Sequence, residues 1–135
     1  MQYSKSNRTR RLVIADDSAE MRWLVRSAIG NEFGEVVEAA DGRELFWTLL
    51  RSEVTAKADD DVIVTDLVMP TYDGLDVLGA WRELYPDAPA ILITAFPSDA
   101  VRRRARELGA VVLSKPFSTT ALREVIREAG HGERR

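Results

Sequence analysis

The sequence predicts an α/β protein: a five-stranded parallel sheet with helices on both faces. Two observations carry this. Strand-like and helix-like apolar periods alternate from Leu12 to Ala129, five of each. Four short apolar runs also stop on residues suited to holding a phosphoryl group. Leu12 to Ala15 runs into Asp16 and Asp17, Val62 to Thr65 into Asp66, Ala90 to Ile93 into Thr94, and Ala110 to Ser114 into Lys115. If these runs are neighbouring parallel strands, their ends share the sheet's C-terminal edge, where open α/β sheets bind ligands.

Each element has a local cause. The first helix opens at the Asp17-Ser18 cap and carries an apolar stripe of Met21, Leu24, Val25, Ala28 and Ile29, with Gly30 as its stop. Glu35 to Ala39 reads as a short second strand, and Asp41-Gly42 turns into a helix whose apolar side includes Leu45, Phe46 and Leu49. Ser52 to Asp61 is polar, ends in three aspartates and reads as an exposed connection. Behind Asp66, Met69-Pro70 breaks the chain, and Asp73-Gly74 opens a third helix bearing Leu75, Leu78, Trp81 and Tyr85, ended by Pro86. The fourth helix, Asp99 to Leu108, turns Val101, Ala105 and Leu108 inward and Arg102, Arg103, Arg104 and Arg106 outward. The fifth begins at Ser118 and shows Leu122, Val125, Ile126 and Ala129.

Size and charge narrow the function. A chain of 135 residues is one ordinary domain. It divides into a basic N-terminal arm over residues 1–10, a folded unit over 11–129 and a tail over 130–135. A net charge of -3 makes it a poor nucleic-acid binder, and the six residues after Ala129 hold no DNA-binding unit. With no cysteine, disulfides and thiolate metal sites are excluded, which is compatible with a reducing cytoplasm. No apolar stretch approaches the roughly 20 residues of a membrane span.

The strand-end residues suggest a chemistry. Magnesium prefers hard oxygens and takes one or two carboxylates beside a phosphate, a demand that Asp16, Asp17 and Asp66 meet. Carboxylates so close repel one another, raising at least one pKa unless a cation is bound. Asp66 is the candidate nucleophile, because a carboxylate can attack phosphorus to form an acyl phosphate, and Asp66 stands apart from the acidic pair. Lys115 would neutralise phosphate oxygen and Thr94 would donate a hydrogen bond to it. Such transfer needs positioning and charge neutralisation more than acid-base groups. Lys115 is one of only three lysines among nineteen basic residues, a compact point charge where arginine is otherwise the habit.

Taken together, Asp16-Asp17, Asp66 with Met69-Pro70 and Asp73-Gly74 behind it, Thr94-Ala95, and Lys115-Pro116-Phe117 resemble the receiver domain of two-component response regulators. The resemblance covers nearly everything from Arg11 to Ala129. It implies a flavodoxin-like (βα)5 doubly wound fold with strand order 2-1-3-4-5, which puts the first and third strands side by side at the switch point. It implies Asp66 as phosphoacceptor, with Mg2+ held by Asp17, Asp66 and the backbone carbonyl of Val68, and by Asp16 through water. Thr94, with Ala95 beside it, and Lys115 would read the phosphoryl group.

Two departures stand out. The aromatic residue that receivers commonly carry three positions before the lysine is Val112 here, so the usual side-chain swing beside Thr94 is missing. Val68 and Phe96, at positions that tune phosphoryl lifetime in the family, are both apolar, so neither orients a hydrolytic water. Phe96 would shield the phosphoryl group, and loss of phosphate would be slow.

The expected protein is thus a single-domain receiver that takes a phosphoryl group from a histidine kinase or histidine phosphotransfer protein and acts on a separate downstream target. It is a phosphoacceptor, not a turnover enzyme. Trp23, near the acidic pair, would contact the donor, and the arginine-rich fourth helix would serve a partner or a homodimer. Rival readings are a receiver fragment of a longer transcriptional regulator, a phosphorylation-independent binding module, and a haloacid dehalogenase-type phosphohydrolase. The last lacks its general-acid aspartate, since Val68 stands two residues after Asp66.

Overall fold

The computed structural model describes residues 10–54 and 61–132. The basic arm expected at the N-terminus lies outside these but for its last residue, as does most of the expected connection before Asp61. In chain order the elements are β1 (Arg11–Ala15), α1 (Ala19–Ile29), β2 (Glu35–Ala39), α2 (Gly42–Val54) and β3 (Asp61–Asp66). They continue with α3 (Gly74–Arg82), β4 (Ala90–Thr94), α4 (Asp99–Glu107), β5 (Val111–Ser114) and α5 (Thr119–Gly132). The strands form one sheet in the order β2-β1-β3-β4-β5, every pair parallel.

The alternation of side chains along each strand divides the core in two. Leu12, Ile14, Val62, Val64, Ile91 and Ile93 face one side, where Val25 and Ile29 of α1 and Leu122 and Ile126 of α5 cover them. Val13, Ala15, Ile63 and Ala90 face the other, packed against Leu45 and Leu49 of α2 and Val77, Leu78 and Trp81 of α3. β1, β3 and β4 are covered on both faces, which is why their sequences read as unbroken apolar runs. The edge strand β2 keeps Glu35 exposed and Glu38 half-buried.

Capping sets the helix starts. Ser18 accepts from Met21 N at the head of α1. Asp73 and Asp76 close a reciprocal capping box on α3. Ser98 and Ser118 accept from Val101 N and Ala121 N, opening α4 and α5. At the other end of α1, Gly30 keeps a right-handed conformation and the chain tightens into a 3-10 turn over Gly30–Glu32.

The structure corrects four details. Leu24, placed on the buried stripe of α1, is 42% exposed, because Val25 and Ile29 fill that interface and Leu24 falls at its margin. Helix α3 ends at Arg82, short of Tyr85 and Pro86, where the Arg82 guanidinium donates to the carbonyls of Leu108 at 2.6 Å and Tyr85 at 3.1 Å. Helix α5 runs on through Gly132, into the segment expected to be a tail.

The fourth correction concerns Asp61, expected in an exposed connection. It is the first residue of β3 and fully buried. Its strand partner is Arg11, whose Nε and Nη2 each donate to one Asp61 carboxylate oxygen at 2.9 Å. A bidentate arginine makes so deep a carboxylate tolerable.

Candidate functional site

The C-terminal ends of β1, β3, β4 and β5 bring Asp16, Asp66, Thr94 and Lys115 to one edge of the sheet, as their placement in the sequence predicts. Asp16, Asp66 and Thr94 are buried and Asp17 is exposed. One carboxylate oxygen from each of Asp16, Asp17 and Asp66 lies within 4.8 Å of the others. Lys115 Nζ approaches them from β5, 3.4 Å from Asp66 Oδ1 and 3.8 Å from Asp16 Oδ2. Thr94 is bound to the same strand end, its carbonyl accepting from Lys115 N at 2.9 Å.

Burial pushes the Asp66 carboxyl above its ordinary pKa; Lys115 and the Leu67 N–H oppose this, and Asp17 adds to it. Burial raises Asp16 as well, against the hydrogen bond from Ser18 N, and Asp66 raises it further. The cluster therefore carries more negative charge than one ammonium balances, the condition that favours a divalent cation. Three hard oxygen donors opening to solvent through Asp17 fit Mg2+, which retains waters and uses few protein carboxylates.

Close backbone approaches hold the site. Asp16 N donates to Ala39 O at 3.1 Å, and Leu67 N, just past Asp66, to Ile93 O at 2.9 Å. A Cβ on Gly74 would stand 2.4 Å from the Asp66 carbonyl oxygen, so only glycine lets α3 begin this close to the acceptor strand. The loop between β3 and α3 is pinned to α2. Gly42 N donates to Pro70 O at 3.1 Å and Arg43 N to Thr71 Oγ1 at 2.9 Å, with Thr71 at a left-handed φ of 71°. Val68, on that loop, is 70% exposed.

On the other side of the acidic cluster, a groove of about 540 Å³ is lined by Met21, Leu24, Ala95, Phe96, Lys115 and Phe117. Phe96 is 90% exposed and its ring buries little against anything. Val112 lies between Val111 and Leu113, which face the α1–α5 core, so it points to the opposite layer. Trp23 is 66% exposed, clear of the core edge.

Two neighbours of the site escaped the sequence reading. Arg22 of α1 donates through Nη1 to the Asp16 carbonyl at 2.7 Å and through Nε to Glu38 Oε1 at 2.8 Å. Burial pushes Glu38 up, but hydrogen bonds from Arg22 and Arg26 outweigh it and hold the carboxyl below its ordinary value. The available signal was Glu38 itself, a charge set between Val37 and Ala39 in a strand.

Comparison with known proteins agrees with this geometry. The response regulator receiver domain family matches residues 12–127. The transcriptional regulatory protein PdtaR of Mycobacterium tuberculosis is 34% identical over 84% of this chain and 53% of its own length. The chemotaxis protein CheY of Halobacterium salinarum is 28% identical over 88% of this chain and 95% of its own. Among solved structures, the chemotaxis protein CheY4 of Vibrio cholerae superposes with a TM-score of 0.75 at 28% identity, covering 90% of this chain and 98% of that one. The chain spans about half the length, or less, of several regulators it matches at 30% identity or more. With the family's pattern matched along most of its length and the five-stranded order in place, the chain belongs to the receiver domains of two-component response regulators.

Proposed function

We propose that Asp66 accepts a phosphoryl group from a phosphohistidine on a separate protein, and that Mg2+ is needed. The observation that carries this reading is the convergence of three carboxylates within 4.8 Å with the Lys115 ammonium 3.4 Å from Asp66. One Asp66 oxygen attacks phosphorus as the P–N bond to the donor imidazole breaks, and the freed nitrogen takes up a proton. Mg2+, held by Asp17, Asp66 and the Val68 carbonyl and by Asp16 through water, would neutralise phosphoryl oxygens. Lys115 supplies the remaining positive charge and Thr94 a hydrogen-bond donor. The product is a covalent aspartyl phosphate, one per chain, and the domain assists its formation and loss without turning over an external substrate.

The donor, a histidine kinase or histidine phosphotransfer protein, has to bring an imidazole to Asp66. The groove beside Lys115, with Leu24 and Phe96 on its walls and Trp23 exposed on the same helix as Leu24, is an apolar surface suited to that contact. Downstream, phosphorylation shifts the domain between two conformations. A near-complete switch needs roughly 5.5 kcal/mol of preference for one of them. Among the described residues no helix is long and apolar enough to cross a membrane, in keeping with a cytoplasmic role.

Intact mass after treatment with acetyl phosphate and Mg2+ tests the reading. The wild type gains one phosphoryl group and Asp66→Asn gains none. An unmodified wild type identifies a phosphorylation-independent binding module, and sustained hydrolysis of a phosphate ester identifies a phosphohydrolase.

A further inference from the structure

Arg22 holds the acidic corner of the site through its main chain. Its Nη1 donates to the Asp16 carbonyl at 2.7 Å, the oxygen of the peptide unit that joins Asp16 to Asp17. Its Nε donates to Glu38 Oε1 at 2.8 Å, and the other Glu38 oxygen is held by Arg26 Nε at 2.8 Å. The next residue of β2, Ala39, accepts from Asp16 N at 3.1 Å. Strand β2 thus grips Asp16 from both ends of the residue: the N–H directly, and the carbonyl through Glu38 and Arg22. Asp17 needs this support most, because it is exposed and its carboxylate makes no hydrogen bond among the described residues.

We infer that Arg22 is a positioning residue for the divalent-cation site, with Glu38 as its anchor. The inference rests on the reading of the acidic cluster given above. Removing Arg22 has two physical effects of opposite sign. It deletes a positive charge near the cluster, which by electrostatics alone tightens cation binding. It also removes the brace on the Asp16 carbonyl, and with it the support of Asp17: the Asp16 carboxylate is still held by Ser18 N at 2.8 Å, but the Asp17 carboxylate must be reordered each time a cation binds. Loss of a residue that orients metal ligands typically costs 10- to 100-fold in affinity, and the observed affinity reports which effect is larger. Arg26 is a built-in control, since it makes the same kind of bond to Glu38 but directs its remaining side-chain hydrogen bond to the Val36 carbonyl instead of Asp16.

Calorimetric titration with Mg2+ alone, on wild type, Arg22→Gln, Arg22→Lys and Arg26→Gln, separates these effects, with urea unfolding in parallel to compare stability. Arg22→Gln and Arg22→Lys should both weaken Mg2+ binding by about tenfold. The lysine variant keeps the charge but replaces the rigid guanidinium fork, which reaches Glu38 and the Asp16 carbonyl through two separate nitrogens, with a single ammonium on a flexible stem. Arg26→Gln should keep the wild-type Mg2+ affinity even where its stability falls as much as that of the Arg22 variants. At saturating Mg2+, phosphorylation of Arg22→Gln by acetyl phosphate should recover toward the wild-type rate. Unchanged or tighter Mg2+ binding in Arg22→Gln, or an equal loss in Arg26→Gln, overturns the inference. A wild type that fails to bind Mg2+ overturns the reading of the acidic cluster itself, a distinct result.

Discussion

Lys115 Nζ stands 3.4 Å from Asp66 Oδ1, the ammonium of one strand end against the carboxylate of another. In the absence of a divalent cation it is the nearest compensation for two buried acids. Lys115→Ala should therefore bind Mg2+ more tightly, because a competing cation is gone, and yet be phosphorylated more slowly, because phosphoryl oxygen loses its fixed positive partner. Mg2+ titration and the rate of labelling by acetyl phosphate give the two readouts.

Stability should depend on pH in a direction set by the raised Asp16 and Asp66 carboxyls. Both lie above the ordinary value of 3.8, with burial as the main cause. The folded state therefore binds protons that the unfolded state has released, and stability falls as pH rises from about 3.8 through the folded values. Mg2+ reverses the trend by binding the ionised pair, with about 2.7 kcal/mol of stabilisation at a concentration 100 times its Kd. Melting curves in chelator and in Mg2+ should coincide below pH 4 and diverge toward neutrality.

Gly74→Ala should couple a stability defect to a functional one. The new methyl group would lie 2.4 Å from the Asp66 carbonyl oxygen, and relieving that contact moves either α3 or the acceptor strand. A loss of about 1–3 kcal/mol is expected, with slower phosphorylation at saturating Mg2+. Urea unfolding and phosphorylation rates on the same samples check both.

Asp61→Asn should do the opposite, damaging the fold while sparing the site. It breaks the bidentate pair with Arg11 and leaves a guanidinium that is 12% exposed without its counter-charge, at a cost of about 3 kcal/mol. Asp61 and Asp66 sit at opposite ends of β3, roughly 16 Å apart at strand rise, so Mg2+ affinity should be unchanged in the folded variant.

Phosphoryl lifetime should respond to Phe96. This side chain and Val68 are apolar and exposed beside the site, and neither presents an atom that can orient an attacking water. Phe96→Glu should shorten the lifetime of the aspartyl phosphate. Equal dephosphorylation rates for the two proteins would discard the idea that the phenylalanine protects it.

Asp16, Asp66, Thr94 and Lys115 were legible because each ends a buried strand, and parallel strands present those ends to one edge whatever the helices between them do. Val25, Ile29, Leu45 and Leu78 were legible for a similar reason: helical period marks an inward face. Leu24 misled because a stripe tells which face turns inward but not how wide the neighbouring surface is. Asp61 misled because a run of three aspartates looks solvated until its strand partner is known to be Arg11.

The alternation of strand and helix, the two-sided sheet and the residue types at its reactive edge can be read from the chain alone, because they follow from local periodicity and chain direction. That Arg22 and Glu38 hold the Asp16 main chain, that Asp61 is buried and that Phe96 stands in solvent emerges first in the folded molecule. Those outcomes depend on which strands become neighbours and in what register, and pairing between distant segments leaves no periodic trace along the chain.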